Sequence, residues 1–397
     1  MVRVKALTER TVAERFQESK DEEDVWGDIS EQSHALAKRI IESSLEEELT
    51  ERLAASRYKR TEGRTAWRNG HYMRRLVTRW GVLDVWMPRA RQAQLPSAVL
   101  GRFQRRQAEV DQLIRQAFLR GVSTREVGEV LEPVLGWRPS AQTVSRVVQS
   151  LNSAVRHFHW RQLQDDIRYL LLDGVTMKVK QPGSVAKKLV LMAYGIRTNG
   201  RRVLLDFRMA TSESQAQWEA FLEDLFRRGL EGSQLQLIAT DGAAGIAAAI
   251  AIVYPKVPHQ RCWAHKLRNV AAKLPRKIQR ECLWDAKRIY LASTSREAGQ
   301  RLRWWAEQWR EQAPKAVACL EQDAESLLAF FACPPKDWLA IRTTNAIERS
   351  FREVRRRTRP ISCFQNNASC ERIIYAVFHH LNIRWNSALP GEITQQA

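Results

Sequence analysis

The chain has 397 residues, 44% of them hydrophobic and 27% charged, a composition that suits a soluble globular protein with room for two or three domains. Its formal charge of +20 and isoelectric point near 10.1 point to a polyanionic partner, nucleic acid above all, because Lys and Arg displace condensed counterions from phosphates. No stretch approaches the roughly 18 apolar residues of a membrane span, and the N-terminus lacks the apolar core of a secretory signal. The six cysteines are scattered with no CxxC pair, which argues against a disulfide framework. A cytoplasmic, nucleoid-associated protein with no membrane partner is expected.

Residues 1–60 hold 14 acids and 11 bases, a net of −3, so the remainder carries +23. They read as amphipathic helix, with Ile41, Leu45 and Leu49 stepping by four and Glu46, Glu47 and Glu48 on the outer face. Asp21 to Asp24 reads as a solvated face or loop. Residues 61–160 form a basic region, and 61–120 alone hold 12 bases against 4 acids. There Arg64, Arg68, Arg74, Arg75 and Arg79 interleave with Trp67, Tyr72, Trp80 and Trp86. The alternating run from Arg75 to Pro88, with turn signals at Asn69-Gly70 and Gly81, predicts one or two hairpins. Basic and aromatic residues so mixed suit a nucleic-acid backbone; the plainer alternative is a small sheet with ordinary surface arginines.

A helix follows over Gln107 to Arg120, with Val110, Leu113, Ile114 and Ala117 along one face. The run Gly121 to Leu131 then reads as a glycine turn and a second helix with a Ser or Thr cap, and a third, polar-capped helix starts near Ser140. That order reads as a helix-turn-helix whose last helix offers Gln142, Thr143 and Arg146 to DNA.

Residues 161–265 change texture. Ile167 to Asp173 is an apolar strand ending in an acid, and Lys188–Ile196 and Arg201–Met209 are two more, joined at Asn199-Gly200. A helix over Ser214–Arg228, a strand over Leu235–Asp241, an alanine-rich helix over Ala243–Tyr254 and a strand over Val257–Cys262 complete a mixed sheet covered by helices. Residues 266–340 read as helices only. Their tryptophans, Trp284, Trp304, Trp305, Trp309 and Trp338, are expected to pack those helices together.

The last part, 341–397, opens on a helix ended by Pro360. Thr343 and Thr344 are candidate N-caps, and Ile347, Phe351 and Val354 form its buried stripe. Glu348 lies beside that stripe, followed by Arg349, Arg352, Arg355, Arg356 and Arg357. Alone, it also reads as a solvated basic helix with internal Glu–Arg pairs. Taken with Asp173 and Asp241, each an acid at the end of an apolar strand and each followed by glycine, Glu348 supplies a third carboxylate. Three such hard-oxygen ligands suit two Mg²⁺ (or Mn²⁺) ions in phosphoryl chemistry.

Four stretches carry a resemblance to a known family: Tyr169 to Val179 with Asp173; Thr240-Asp241-Gly-Ala-Ala-Gly-Ile with Tyr254-Pro255; Gln260-Arg-Cys262-Trp-Ala-His265-Lys-Leu-Arg-Asn269; and Thr343-Thr-Asn-Ala-Ile-Glu348-Arg with Glu353 and Arg355-Arg356-Arg357. With Arg68 to Tyr72 and Gly121 to Val127, the likeness spans roughly residues 63–380. The sequence resembles the mutator-type transposases of bacterial insertion sequences.

That resemblance implies an α/β fold: an RNase H-like catalytic core interrupted by an all-helical insertion and preceded by a basic DNA-binding region with a helix-turn-helix. It implies a DDE transposase, with Asp173, Asp241 and Glu348 as the metal-binding triad. DNA cleavage at element ends would be followed by attack of the freed 3′-OH on target DNA. DNA in the form of terminal inverted repeats and target is the implied partner, held by a homodimer or larger assembly. Glu353 falls off the triad position and is expected to pair with Arg349, Arg356 or Arg357. Cys262 and His265 match the family's C-x-x-H signature. His265, Lys266 and Arg268 are expected at phosphate, and zinc is disfavoured because only His259 stands near as a further ligand. A non-catalytic helix-turn-helix regulator and an RNase H-like structure-specific nuclease are the competing readings.

Overall fold

A 32-residue helix, α1 (Glu22–Leu53), lays Leu45 and Leu49 inward and starts the first of two compact units, residues 1–118 with 122–149. The computed structural model describes residues 22–59, 61–91, 97, 99–101, 104–344, 352–357 and 363–387. Asp21, Glu348 and Arg349 lie outside the described residues, as do Ile347, Phe351 and Pro360 of the expected helix.

Strands β1 (Trp67–Thr78) and β2 (Gly81–Arg91) form one antiparallel hairpin. Leu76, Leu83, Val85 and Met87 face Leu45, and Ile41 packs partly buried beside them. The expected turn at Asn69-Gly70 is instead an irregularity inside β1: Gly70 has φ +68° where the register shifts between Arg68 and His71. The chain reverses between Thr78 and Gly81, where φ of +107° at Gly81 suits glycine alone. Glu46 is no solvated outer residue: its carboxylate holds Arg68 at 2.5 Å and His71 at 2.6 Å.

Three helices follow, α2 (Ala108–Leu119), α3 (Val127–Leu135) and α4 (Ala141–Val148). The buried stripe of α2 is Val110, Ile114 and Phe118, stepping by four, so Leu113 falls to the exposed side. Ser140 caps α4 by accepting the Thr143 amide at 3.2 Å. Ser140→Ala is expected to cost about 1 kcal/mol of stability, read from the midpoint of chemical denaturation.

The second unit, residues 119–121 with 150–397, is built on one mixed sheet of order β5-β4-β3-β6-β7. After α5 (Leu151–Trp160), strands β3 (Ile167–Gln181), β4 (Ser184–Arg197) and β5 (Arg202–Ala210) form an antiparallel meander. Helix α6 (Gln215–Arg227) crosses to β6 (Leu237–Thr240), and α7 (Ala244–Val253) crosses to β7 (His259–Arg261), both strands parallel to β3.

Alternation along β3 decides what each face carries. Leu170 and Leu172 join Ile238 and the inner sides of α6 and α7, with Trp218 and Phe221 fully buried. Tyr169, Leu171, Val175 and Met177 join Leu237 and Ala239 on the opposite face. That second face is covered by α8 (Trp263–Ala271), α9 (Arg276–Tyr290), α10 (Ser295–Trp309), α11 (Pro314–Glu321), α12 (Ala324–Leu328) and α13 (Trp338–Ile341), then α14 (352–357) and α15 (Asn367–Ser387).

The tryptophans of the helical stretch split. Trp305 and Trp309 are buried and Trp338 half-buried, but Trp284 and Trp304 are exposed, against the expectation that all five pack helices. The Arg288 guanidinium lies 5.8 Å from the Trp304 ring.

Candidate active site

Sheet pairing places two of the expected acids just beyond the matched segments of neighbouring strands. Parallel pairing of β3 with β6 matches Tyr169 to Leu237, Leu170 to Ile238 and Leu171 to Ala239. Asp173 and Asp241 each stand two residues past the last of these pairs, Asp173 within β3 and Asp241 just beyond the end of β6. Asp173 shares the parity of Leu171, and hence the sheet face that lies under α8 to α15.

Asp173 does not end its strand, as the Asp-Gly pair suggested. β3 runs on to Gln181, with Asp173 opposite Met192 of β4. It is β6 that stops, at Thr240, and this opens an edge of β3 beside Asp173. Gly174 answers to packing: a β-carbon there would lie 3.1 Å from Leu189 Cδ1.

Each carboxylate is steadied by a backbone amide. Asp173 Oδ1 accepts from Gly174 N at 2.8 Å, and Asp241 Oδ1 accepts from Ala243 N at 3.0 Å. The turn after β6 is fixed by Thr240, whose buried hydroxyl accepts from Gly242 N at 3.0 Å and shares a 2.8 Å hydrogen bond with His259 Nε2. Burial lowers the His259 pKa, as does the neighbouring Arg261 charge, while Asp241 and Asp323 work against them. Gly242 has φ +85°, and a β-carbon there would overlap the Arg261 side chain. The turn therefore needs glycine twice, for its backbone and for the arginine lying across it. Partial desolvation, and then the Asp241 charge, raise the Glu213 carboxyl above the ordinary range, which places a further acid near Asp241. Sequence reading missed both Arg261 and Glu213, since neither stands out without the register that brings it there.

Around β7 the C-x-x-H residues enter a hydrogen-bonded group. Cys262 N donates to Thr240 O at 2.8 Å, and Trp263 N donates to Arg342 O at 3.1 Å. The fully buried Cys262 Sγ accepts from the amide of Thr344 at 3.2 Å and from its hydroxyl at 3.3 Å; that hydroxyl also lies 3.4 Å from His265 Nδ1. Burial pushes the Cys262 thiol up, but hydrogen bonds from His265 and Thr344 outweigh it and hold the pKa below its ordinary value.

Lys266, expected at phosphate, is instead 2% exposed and ion-paired with Asp323, which also holds Arg261 at 2.8 Å. A lysine buried in this way has no head group to offer DNA. Arg268 is exposed, as are Arg352, Arg355 and Arg356, while Arg357 is half-buried. Glu353 pairs with Arg356 at 2.7 Å and lies 3.6 Å from Arg357. On α4, Gln142 and Arg146 are exposed, and Thr143 is half-buried with its hydroxyl accepting from Ser140. The hairpin exposes Trp67, Met73, Trp80 and Trp86; Arg79 lies 4.6 Å from the Trp80 ring and Arg89 lies 4.5 Å from that of Tyr72.

The chain on either side of Glu348 is anchored over the face of the two aspartates. Ile341, Val354 and Phe364 all belong to the same buried cluster as Leu171 and Ala239. Phe364 also pairs with the open edge of β3: its amide donates to Lys178 O at 2.9 Å, and its carbonyl accepts from Lys180 N at 2.8 Å.

Two carboxylates thus follow the paired segments of neighbouring strands, one within β3 and one just past β6, with Arg261 lying across the turn beside the second. Residues 7–388 match the family described as Transposase, Mutator family, and the chain belongs to that family. It is 34% identical over 351 residues to the transposase for insertion sequence element ISRM5 of Rhizobium meliloti, covering 88% of each chain. To the transposase for insertion sequence element IS256 in transposon Tn4001 of Staphylococcus aureus it is 32% identical, covering 87% of this chain and 89% of that one. A solved intasome of simian T-cell lymphotropic virus in complex with PP2A regulatory subunit B56 gamma aligns over 55% of this chain and 64% of its own. At 10% identity and a TM-score of 0.18, that alignment carries nothing for the fold.

Proposed function

We propose that the chain is a DDE transposase that cuts DNA at the ends of an insertion sequence and joins the freed 3′-OH to target DNA. The observation that carries this reading is that Asp173 and Asp241 each stand two residues beyond the paired Leu171 and Ala239, with Ile341, Val354 and Phe364, from either side of Glu348 in the chain, buried in the cluster those two residues join. The sheet order β5-β4-β3-β6-β7, with Asp173 on β3 and Asp241 just past the end of its parallel neighbour β6, supports an RNase H-like core.

Asp173, Asp241 and Glu348 would hold two Mg²⁺ ions, and the donors fit: carboxylate oxygens are the hard ligands Mg²⁺ takes. Bound there, the ions would supply electrostatic stabilisation of the attacking and leaving oxygens. The rest falls to the chain. The amides of Gly174 and Ala243 orient the two carboxylates, and the exposed Arg352, Arg355 and Arg356, with Arg268, would grip the phosphate backbone. Catalysis of this kind is positioning and charge stabilisation, so no nucleophilic side chain is needed. In the first unit, Gln142 and Arg146 would read DNA from α4, with the aromatic-basic hairpin as a second contact. Two element ends must be held at once, so a dimer or larger assembly is proposed.

The test is a labelled duplex carrying the inverted repeat that flanks the gene. With Mg²⁺ the purified chain is expected to nick it at the element end and join that end to a target plasmid, and in EDTA to bind without cutting. Binding that never leads to cutting would make it a helix-turn-helix regulator. Cutting without joining would make it a nuclease.

A further inference from the structure

We propose that Cys262 and Thr344, with His265 beside them, form a clasp that ties the strand end before Asp241 to the chain that leads to Glu348, making them positioning residues of the active centre. The proposal rests on the reading of Glu348 as the third metal ligand.

The connection is short and wholly described up to Thr344. Asp241 follows Thr240, whose carbonyl accepts from Cys262 N at 2.8 Å. The same cysteine takes both donors of Thr344 on its sulfur, at 3.2 and 3.3 Å. Thr344 is fully buried and stands four residues before Glu348. One residue thus faces both ways, its amide bound to the strand end that carries Asp241 and its sulfur to the chain that leads to Glu348.

A second tie runs beside the first, from Trp263 N to Arg342 O at 3.1 Å. The sulfur's place explains why the family-like Cys and His sit three residues apart at the start of α8. Cys262 holds the N-cap position, and His265, on the first turn, reaches the same threonine hydroxyl. Sulfur suits this job, being large enough to meet an amide and a hydroxyl of one residue at once.

Thr344→Val keeps the shape of the side chain and deletes the hydroxyl. Because a misplacement near 1 Å can cost about 10²-fold in rate, cleavage of the element end is expected to fall by roughly 10- to 100-fold. The Mg²⁺ concentration for half-maximal cleavage should rise, while DNA affinity and the thermal midpoint stay close to the parent's, since only one neutral hydrogen bond is lost. A merely structural role would not move the Mg²⁺ requirement. Thr344→Ser, which restores the hydroxyl, should recover most of the rate and the parental Mg²⁺ midpoint.

The clasp is overturned if Thr344→Val cleaves at the parental rate and Mg²⁺ midpoint, or if Thr344→Ser is as impaired as the valine variant. Glu348→Gln separates this from the underlying reading. If that variant cleaves normally, the triad itself falls. If it is inactive while Thr344→Val is normal, only the clasp falls.

Discussion

Asp241→Asn is expected to abolish Mg²⁺-dependent cleavage, lowering the rate by about 10³-fold or more, the scale set by several kcal/mol of lost charge stabilisation. Asparagine keeps the size of the side chain and the oxygen that accepts the Ala243 amide at 3.0 Å, so the turn after β6 should be unchanged. What goes is the charge. DNA affinity should hold or tighten, because an anion is removed from a surface that binds phosphates through its cations. Asp173→Asn should behave alike, and the double variant should be little worse than either single one, since ligands of one site act as a unit. Gel-shift and strand-cleavage assays on the same duplex check both halves. An Asp241→Asn enzyme that cuts within about tenfold of the parent would remove Asp241 from the metal site.

The strand end before Asp241 was legible because an apolar run that stops at an acid is a local pattern, and β6 stops at Thr240. The same pattern at Asp173 misplaced the end of β3. Asp-Gly looks like a turn, yet here the strand continues, and the glycine makes room for Leu189 on β4. Gly70 shows the converse: it has the positive φ of a turn glycine but sits at a register shift within β1.

What was not legible depends on partners far along the chain. Lys266 looks like a phosphate ligand until Asp323, 57 residues on, is seen to hold it. Thr344 reads as a helix cap, and its two donors go to a sulfur 82 residues before it. Trp284 and Trp304 share a composition with Trp305 and Trp309 but fall on outward faces of their helices. Spacing gives the face of a helix only when its register against the neighbours is known.

Asp323 carries the other large expected effect. Its carboxylate is shared by Lys266, 3% exposed at its side chain, and by Arg261, whose Nε is buried without a hydrogen-bond partner among the described residues. Asp323→Ala would remove the carboxylate that pairs with both cations, Lys266 in the interior and Arg261 partly exposed. Breaking a buried pair from one side costs about 3–5 kcal/mol, and because Asp323 keeps some solvent contact the loss should fall near about 3 kcal/mol. A lower denaturation midpoint at an unchanged denaturant slope would register it.

Activity should fall as well. Arg261 lies across Gly242, one residue from Asp241, and Asp323 is the anion that holds it there. Asp323→Asn, which keeps an acceptor but no charge, should lose less stability than the alanine variant. Adding Lys266→Met to Asp323→Ala removes one of the stranded cations and should regain part of the loss, because a buried ion pair replaced by apolar side chains is often no less stable than the pair itself. If the double variant is as unstable as Asp323→Ala alone, the cost does not come from the stranded lysine, and the role of Asp323 would then rest on Arg261.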